Sequence, residues 1–216
     1  LTLDAEGNLF IADSENHVVR KIDMRTQCIR TVAGCTQGVG SGAKPVSPAP
    51  VAEKVDDDPF AESGTVNSHA FIQQTDLSGT VRYVVTGTAP AKRFKGDGGP
   101  ADQALLNFPT AVVVDRAGHL YIADTLNHRV RRVDAVTGVI TTVAGLGQPR
   151  CSGDGGSAVE AGLNEPAALA VSGGGVLYIA DQSNNRVRAV DLATGVIRAV
   201  AGTGTAAYNG DGVAAT

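Results

Sequence analysis

The sequence predicts an all-β protein built from repeated units of four short antiparallel strands. Three stretches of the 216-residue chain carry nearly the same text, LFIADSENHVVRKID at 9–23, LYIADTLNHRVRRVD at 120–134 and LYIADQSNNRVRAVD at 177–191. Gly-Asp-Gly recurs with a spacing of 57 residues, its aspartate standing at 97, 154 and 211. Glycine is abundant, with 27 residues, as is typical of many short strands joined by tight turns. Repetition at this period indicates a stack of small structural units.

The clearest unit runs from Pro109 to Glu165 and contains four strand-like segments. They read PTAVVVD, HLYIAD, HRVRRVD and VITTVAG, and they are separated by turns of three to five residues. Such short connections predict an antiparallel meander, because parallel neighbours need crossovers of about a dozen residues. A glycine-rich linker over residues 146–165 then leads to the next unit.

The rest of the chain follows the same plan with one irregular part. Residues 166–216 repeat the four segments and end within a linker, and residues 1–34 form a first unit that enters part-way along its first strand. Residues 35–108 are interpreted as a degenerate second unit, since AFIQQTD at 70–76 and TVRYVVTG at 80–87 resemble the third and fourth strands. The prolines of KPVSPAP and the acidic run after it argue against central strands, so a disordered insertion is the alternative.

Composition and charge restrict the functions. The net charge is −4, from 18 basic and 22 acidic side chains, which argues against a broad nucleic-acid-binding surface. No apolar run approaches the ~18 residues of a membrane-spanning helix. Cys28 and Cys35 lie about 20 Å apart if the strand between them is extended, too far for a disulfide. A disulfide between Cys35 and Cys151 and two free thiols both stay open.

The repeated text resembles the NHL-repeat family. The resemblance rests on GDGG-x-A, L-N-x-P, YIAD-x-x-N-H-R-V-R-x-V-D and TG-x-I-x-T-V-AG, and it is close over residues 96–212 and 1–34. It implies the four-stranded antiparallel blades of a β-propeller, commonly six-bladed, around a central channel. The chain would then hold three good blades and one poor one as part of a larger propeller, with a closed four-bladed ring as the alternative.

The repeated polar residues are interpreted as structural. Each unit has an aspartate before a turn, an asparagine in it and an arginine on the next strand: Asp13, Asn16, Arg20; Asp124, Asn127, Arg131; Asp181, Asn184, Arg188. The aspartates are expected to accept backbone N–H bonds, and the asparagines to tolerate the left-handed conformation. The arginines are expected to pair between blades with aspartates such as Asp23, Asp134 and Asp191, and an anionic ligand is the alternative.

Two sets of residues are candidates for metal binding. Asp97, Asp154 and Asp211 lie in equivalent loops, where they are either turn caps or weak calcium ligands. His17 and His128 share a repeat position that Asn185 fills in the last unit, which favours a turn contact. Zinc held by channel histidines, which the likeness to propeller amidating lyases would imply, is the less favoured reading.

These patterns predict a non-enzymatic scaffold that binds or assembles with a protein or glycan, including another copy of the chain. The long linkers are expected to form a variable loop surface, which is where rigid scaffolds carry recognition. No serine, histidine and carboxylate recur together, and no cofactor is expected beyond the calcium candidates. The alternatives are a metal-dependent lyase or hydrolase that uses the channel, and RNA binding. Repeats that look like these favour a secreted, extracellular protein.

Overall fold

The structure is a computed structural model that describes residues 1–35, 71–75, 81–85, 94–207, 211 and 214–215. The chain divides into two compact units, Leu1–Val39 with Arg93–Thr216, and Gly40–Lys92. Within the described ranges the only helices are 3₁₀ turns of three residues. Accordingly, no helix in this part of the chain is long and apolar enough to cross a bilayer.

The larger unit contains three four-stranded antiparallel sheets in which neighbouring strands follow one another along the chain. The first sheet consists of β1 (Thr2–Leu3), β2 (Leu9–Asp13), β3 (Val18–Asp23) and β4 (Cys28–Ala33). The second sheet consists of β7 (Pro109–Val114), β8 (Leu120–Asp124), β9 (Arg129–Val133) and β10 (Ile140–Ala144). The third sheet consists of β11 (Pro166–Val171), β12 (Val176–Asp181), β13 (Arg186–Asp191) and β14 (Ile197–Ala201). The predicted meander of four strands is confirmed in all three.

The smaller unit contains one described element, a pair of antiparallel strands. These are β5 (Phe71–Thr75) and β6 (Val81–Val85), with Phe71 opposite Val85. The two strands expected from AFIQQTD and TVRYVVTG are therefore confirmed. The remodelled strands or disordered insertion expected over residues 35–70 lie outside the described residues, apart from Cys35.

Two apolar cores hold the three sheets together, and they are built from equivalent residues. The core between the first and second sheets contains Phe10, Val19, Ala33, Ala101, Ala104, Leu106, Val112, Leu120, Ile122, Val133 and Ile140. The core between the second and third sheets contains Tyr121, Val130, Ala144, Ala158, Ala161, Leu163, Leu177, Ile179, Val190 and Ile197. Each core thus has three layers: one face of a sheet, two alanines and a leucine of a linker, and one face of the next sheet.

The linkers are part of this packing. The sequence predicts exposed variable loops there, and this is wrong for the alanines and leucine of each linker, which are buried. The Gly-Asp-Gly-Gly segment adds backbone bonds to the outermost strand of the following sheet: Gly98 donates to Ile140 at 2.8 Å, and Ile140 donates to Gly99 at 3.0 Å. Gly155, Gly156 and Ile197 repeat both bonds at 2.7 and 3.0 Å. Residues 94–108 are therefore a linker, as the match of GDGGPADQALLNFP predicts.

Each linker is also bonded to the sheet that precedes it. The N–H of Gly34 donates to the carbonyl of Ala101 at 2.9 Å, and that of Gly145 donates to Ala158 at 2.9 Å. Gly145 has a φ of +92°, and a Cβ there would collide with the carbonyl oxygen of His128. Glycine is needed at this position both for its positive φ and for the close approach of two backbone segments.

Candidate functional site

The repeated polar residues meet at two equivalent junctions between sheets. Arg131 on β9 and Arg188 on β13 are 0% exposed, and they are the largest fully buried side chains in the described chain. Burying a guanidinium is costly unless its donors find acceptors and its charge finds a partner. The surroundings of these two arginines therefore decide what the repeated residues do.

Arg131 is held by two aspartates from different parts of the repeat. Its Nε and Nη2 atoms donate to Asp97 Oδ1 at 3.1 and 2.6 Å. Its Nη1 atom donates to the carbonyl of Leu105 at 3.1 Å and lies 3.8 Å from Asp124 Oδ2. Nη2 also donates to the carbonyl of Lys95 at 3.3 Å. The linker and β8 thus both contribute to one buried ion-pair network.

Arg188 repeats this arrangement one unit later. Its Nε atom donates to Asp154 Oδ1 at 2.9 Å, and Nη2 lies 2.9 Å from the same oxygen. Its Nη1 atom donates to Asp181 Oδ2 at 3.3 Å. The carbonyls of Ser152 and Gly162 accept the remaining bonds at 3.1 and 3.4 Å. In both junctions the linker aspartate precedes its arginine by 34 residues.

The interblade ion pair expected from the sequence therefore exists, but its partners differ. The aspartates at the ends of the third strands, Asp23, Asp134 and Asp191, cap turns instead of binding the buried arginines. Asp134 Oδ1 accepts N–H bonds from Val136 and Thr137, both at 3.0 Å. These two backbone bonds, the one from Thr137 first, lower the pKa of Asp134 to about 2. Sequence spacing alone did not distinguish the two recurring sets of aspartates.

The aspartate before each turn accepts bonds from the linker and from the turn asparagine. Asp124 Oδ1 accepts the N–H of Asn107 at 2.7 Å, and Oδ2 accepts Asn127 Nδ2 at 2.9 Å. Burial raises the pKa of Asp124 to about 6, against the opposing effect of these bonds and of Arg131. Asp181 makes the same bonds with Asn164 and Asn184 at 2.7 and 2.8 Å. The expected backbone bonds are present, but their donors lie in the linker.

The left-handed residue of each turn follows the asparagine. The sequence favours this conformation at Asn16, Asn127 and Asn184, and this prediction is wrong. His17, His128 and Asn185 have φ of 55°, 52° and 51°. The asparagine side chain instead bonds the aspartate three residues earlier, which fixes the asparagine within the turn.

The histidines connect each turn to the start of the following sheet. His17 Nδ1 accepts the N–H of Phe108 at 2.9 Å, and His128 Nδ1 accepts the N–H of Glu165 at 3.2 Å. Phe108 and Glu165 both have a φ of 53° and precede the proline that opens the sheet. Burial lowers the pKa of His128, and the nearby charges of Glu165 and Asp181 oppose this shift. The turn contact favoured from the sequence is therefore a contact between sheets.

Hydroxyl groups form a further link that the sequence reasoning missed. Ser14 Oγ donates to the carbonyl of Pro109 at 2.5 Å, and Thr125 Oγ1 donates to that of Pro166 at 2.8 Å. The signal was present, because a hydroxyl residue follows the turn aspartate in the first two units. The third unit has Gln182 at this position.

The calcium candidates are engaged by donors where the structure describes their surroundings. Besides Arg131, Asp97 binds the backbone N–H and the hydroxyl of Thr142 through Oδ2, at 3.1 and 2.6 Å. Asp154 Oδ2 lies 3.8 Å from Arg186 Nη1, and Asp211 is exposed. Within the described ranges no group of three His, Cys, Asp or Glu residues could hold a metal ion. Calcium binding by these aspartates stays a prediction, and the geometry supplies cationic partners to two of them.

The remaining candidates lie apart from the junctions. His119 Nδ1 accepts the N–H of Ala135 at 3.1 Å, within the second sheet. Of the two states that the sequence allows for Cys35 and Cys151, the described chain has the thiols and not the disulfide.

Among the residues that the structure describes, the equivalent arginine of the first sheet is paired with its turn aspartate and with no linker aspartate. Arg20 occupies the position of Arg131, but its side chain is 37% exposed, and its Nε lies 3.2 Å from Asp13 Oδ2. Among the described residues no acceptor meets this Nε in hydrogen-bonding geometry. Asp13 also accepts Asn16 Nδ2 at 2.8 Å, so the turn itself is built as in the other sheets.

A family model described as NHL repeat matches residues 106–133, from the end of the linker to the end of β9. Protein SUPPRESSOR OF QUENCHING 1, chloroplastic, of Arabidopsis thaliana is 34% identical over 103 residues, which are 48% of this chain and 10% of that protein. NHL repeat-containing protein 2 of Homo sapiens is 35% identical over 142 residues, 63% of this chain and 19% of that protein. Teneurin-3 of Mus musculus is 42% identical over 103 residues, 42% of this chain and 4% of that protein.

Two solved structures are similar to this chain at lower sequence identity. A protein of unknown function from Bacteroides thetaiotaomicron is 25% identical with a TM-score of 0.39, covering 83% of this chain and 43% of that one. Virginiamycin B lyase from Staphylococcus aureus is 12% identical with a TM-score of 0.37, covering 91% and 53%. The chain spans 10% and 19% of the length of its first two curated relatives.

Proposed function

Because the chain belongs to the NHL-repeat family, we propose that it is a non-enzymatic β-propeller scaffold that binds or assembles with a protein or a glycan. The observation that carries this proposal is that the repeated polar residues are buried in contacts between sheets. Arg131 and Arg188 are completely buried in ion pairs. The turn aspartates Asp124 and Asp181 are also 0% exposed. Residues in such positions hold sheets together and are closed to a substrate.

Recognition is then expected at exposed positions where the repeats differ. Leu126 lies at the tip of the β8–β9 turn and is 41% exposed, whereas the equivalent residues are Glu15 and Ser183. Its neighbours Thr125 and Asn127 are buried, so the tip stands on a fixed base. Exposed, variable side chains on a rigid scaffold are the usual place for binding specificity. The net charge of −4 favours a protein or glycan over a nucleic acid.

The test is retention of partners by a tip variant whose fold is intact. Leu126→Ser copies the residue of the third unit, so the melting temperature is expected to stay within about 2 °C of the wild type. Immobilised wild-type chain is expected to retain specific proteins from an extract of the source organism, or specific glycans on an array. The variant is expected to retain less of the same ligands. Unchanged retention would show that this turn is not the binding surface.

A metal-dependent lyase or hydrolase is the alternative, and RNA binding is a lesser one. Stoichiometric zinc or calcium in the purified chain, with an ester- or lyase-type activity lost on chelation, would replace the scaffold proposal with the first. Retention on immobilised RNA that falls steeply with salt would favour the second. The extracellular location expected from the repeats stays a prediction, and one relative is chloroplastic by its name.

A further inference from the structure

A cavity of about 180 Å³ lies at the junction of the second and third sheets, between the turn that follows β7 and the turn that follows β11. Arg116 of the first turn and Ser172 of the second turn both line it. We propose that this cavity binds the side-chain carboxylate of a glutamate from a partner protein. The site would serve the scaffold function proposed above, on which this inference rests, and it specifies the chemistry of one contact with the partner.

The guanidinium of Arg116 packs against the turn of the third sheet. A Cβ at Gly173 would come within 2.7 Å of Arg116 Nη2 and 2.8 Å of its Cζ. Gly173 does not have a positive φ, so the close approach of Arg116 is what leaves no room for a side chain there. The first sheet has Ala5 at the position of Arg116. No residue within the described ranges accepts a hydrogen bond from this guanidinium, so its donors are open to a ligand.

Asp115 precedes Arg116 in the chain but is bonded within its own turn. Its Oδ1 atom accepts the N–H groups of Ala117 and His119, both at 2.9 Å. Its Oδ2 atom accepts the hydroxyl of Tyr121 at 3.2 Å. Both oxygens of this carboxylate therefore have donors of their own, and the charge of Arg116 is left for an external anion.

Ser172 gives the cavity a second donor without adding a negative charge. It occupies the repeat position of Asp4 and Asp115. Its Oγ atom accepts the N–H of Val176 at 3.1 Å, so it caps its turn as the aspartates do. A hydroxyl that accepts one bond still has its own proton to donate. An aspartate here would repel a carboxylate in the cavity, whereas the serine hydroxyl is able to bind it.

The lining and the size of the cavity favour a glutamate side chain. Val171 and Leu192 line it and pack against the apolar core between the two sheets, so they would contact the methylene groups of a glutamate. The planar fork of an arginine matches the two oxygens of a carboxylate. Pockets for whole small molecules measure about 300–1,000 Å³, which is more than this cavity offers. A sugar acid would also need acceptors for its hydroxyls, and the oxygens of Asp115 are already bonded.

An NMR titration of the ¹⁵N-labelled 216-residue chain tests the site. The probe is N-acetyl-glutamate α-amide, which is a glutamate with both backbone ends blocked, and the matching glutamine compound is its neutral control. The Arg116 Nε–H and Gly173 N–H signals are expected to shift and saturate with a Kd of about 10 mM, the strength of one charge-assisted contact. The glutamine compound is expected to cause no saturable shift. Arg198 is exposed, and its Nε–H signal is the internal reference for unspecific contact with carboxylates.

Gly173→Ala and Gly174→Ala are a matched pair of variants that keep every charge. Gly173→Ala is expected to displace the flexible guanidinium of Arg116 and to raise the Kd of the probe by at least about 5-fold, because the arginine fork loses its position. Gly174→Ala places its methyl no closer than 3.8 Å to Ser172 Oγ and is expected to leave the Kd unchanged within about 2-fold. Arg116→Gln is expected to abolish the saturable shift of Gly173. Both glycines are exposed, and circular dichroism is expected to show all three variants folded.

Three results would overturn the proposal. One is a wild type whose Arg116 and Gly173 signals show no saturation up to about 100 mM probe. Another is a Gly173→Ala variant that binds the probe as tightly as Gly174→Ala does. Tighter binding of glucuronate than of the blocked glutamate would replace the partner protein with an acidic glycan. Retention of partners by the immobilised wild type would leave the scaffold function standing in each case, so the two failures are distinguishable.

Discussion

Arg131 shows how a charged side chain can be a core residue. All of its side chain is buried, and its donors reach Asp97 and the carbonyls of Lys95 and Leu105. A buried ion pair of this kind adds little net stability compared with apolar residues of the same shape, but removing one partner is strongly destabilising. The presence of the network therefore adds less to the free energy of unfolding than the loss of one partner would remove.

Arg131→Met tests this at the level of one residue. The variant removes the buried cation beside the Asp124 carboxylate and is expected to lower the free energy of unfolding by about 3–5 kcal/mol. Arg20→Met is the matched control, because Arg20 is the equivalent residue and is partly exposed. A change of less than about 1 kcal/mol is expected there. Urea unfolding measures both, and equal losses would contradict the role of burial.

His128 predicts a dependence of stability on pH. Burial lowers its pKa in the folded chain, so the unfolded chain binds more protons below its ordinary value of 6.5. The contribution of neutral His128 to the free energy of unfolding is therefore complete above pH 6.5. It is lost as the pH falls from 6.5 through the lowered pKa of the folded chain. Protonation of Nδ1 also removes the acceptor that binds the N–H of Glu165.

His128→Asn removes this titration while keeping a residue that the third unit uses at the same position. Melting temperatures from pH 5 to pH 8 are expected to show a smaller loss on acidification in the variant than in the wild type. Asp124 acts in the opposite direction, because its raised pKa of about 6 makes the folded state bind the extra proton between pH 3.8 and about 6. The difference between the two proteins isolates His128, and parallel curves would rule out its contribution.

The sequence predicted that the repeated aspartates and arginines are structural, and the junctions agree. It did not predict which aspartate meets Arg131, because Asp97 and Asp134 recur with the same period. The choice depends on the path of the linker, which places Asp97 beside β9 although it is 34 residues away in the chain. It also missed that His128 is left-handed, since asparagine is the commoner residue for that conformation and stands next to it.

At the scale of the element, the linker is a fifth component of the second and third sheets. Its glycines bond the outermost strand of the following sheet, and its alanines and leucine lie inside the core. Sequence reasoning assigned exposure to these residues because glycine-rich segments without strand periodicity are typical of loops. The missed signal was the spacing of the small and apolar residues, Ala101, Ala104 and Leu106, which recurs as Ala158, Ala161 and Leu163.

Leu163→Ala tests whether the linker is a core element. Leu163 is 0% exposed between the second and third sheets, so its truncation is expected to lower the free energy of unfolding by about 2–5 kcal/mol. Val159→Ala in the same linker is the control, because Val159 is exposed. It is expected to change stability by about 0.5 kcal/mol or less. Denaturant unfolding distinguishes the two, and a small effect of Leu163→Ala would mean that the linker packs loosely.

At the scale of the molecule, the first and second sheets contact each other directly. His17 binds Phe108, Ser14 binds Pro109, and the two sheets share one apolar core. The second and third sheets, which are adjacent in sequence, make the same contacts. The all-β class and the four-stranded units followed from the sequence because local periodicity and turns determine them. Which sheets are neighbours depends on long-range contacts. The irregular sequence of residues 35–108 gives no signal that the first and second sheets are in contact.

A replacement tests this neighbour relation. Phe94 is equivalent to Cys151, so replacing residues 35–93 with LGQPR, the residues 146–150 that precede Cys151, gives the first junction the length of the second. The shortened chain is expected to fold with a melting temperature within about 5 °C of the wild type. Keeping Phe94 preserves its contacts with Arg129 and Arg131. Loss of cooperative unfolding would indicate that residues 35–93 are needed to complete the first junction.

The 34-residue separation of each linker aspartate from its arginine has a consequence for where one module ends and the next begins. A segment cut at the strands, from Pro109 to Glu165, takes Arg131 but leaves Asp97 behind. A segment cut from Phe94 to Arg150 contains both charges and the buried leucine of its linker. Residues 94–150 are therefore the segment that keeps a buried ion pair intact, and designers who splice, permute or graft these repeats should place their joints before residue 94 and after residue 150.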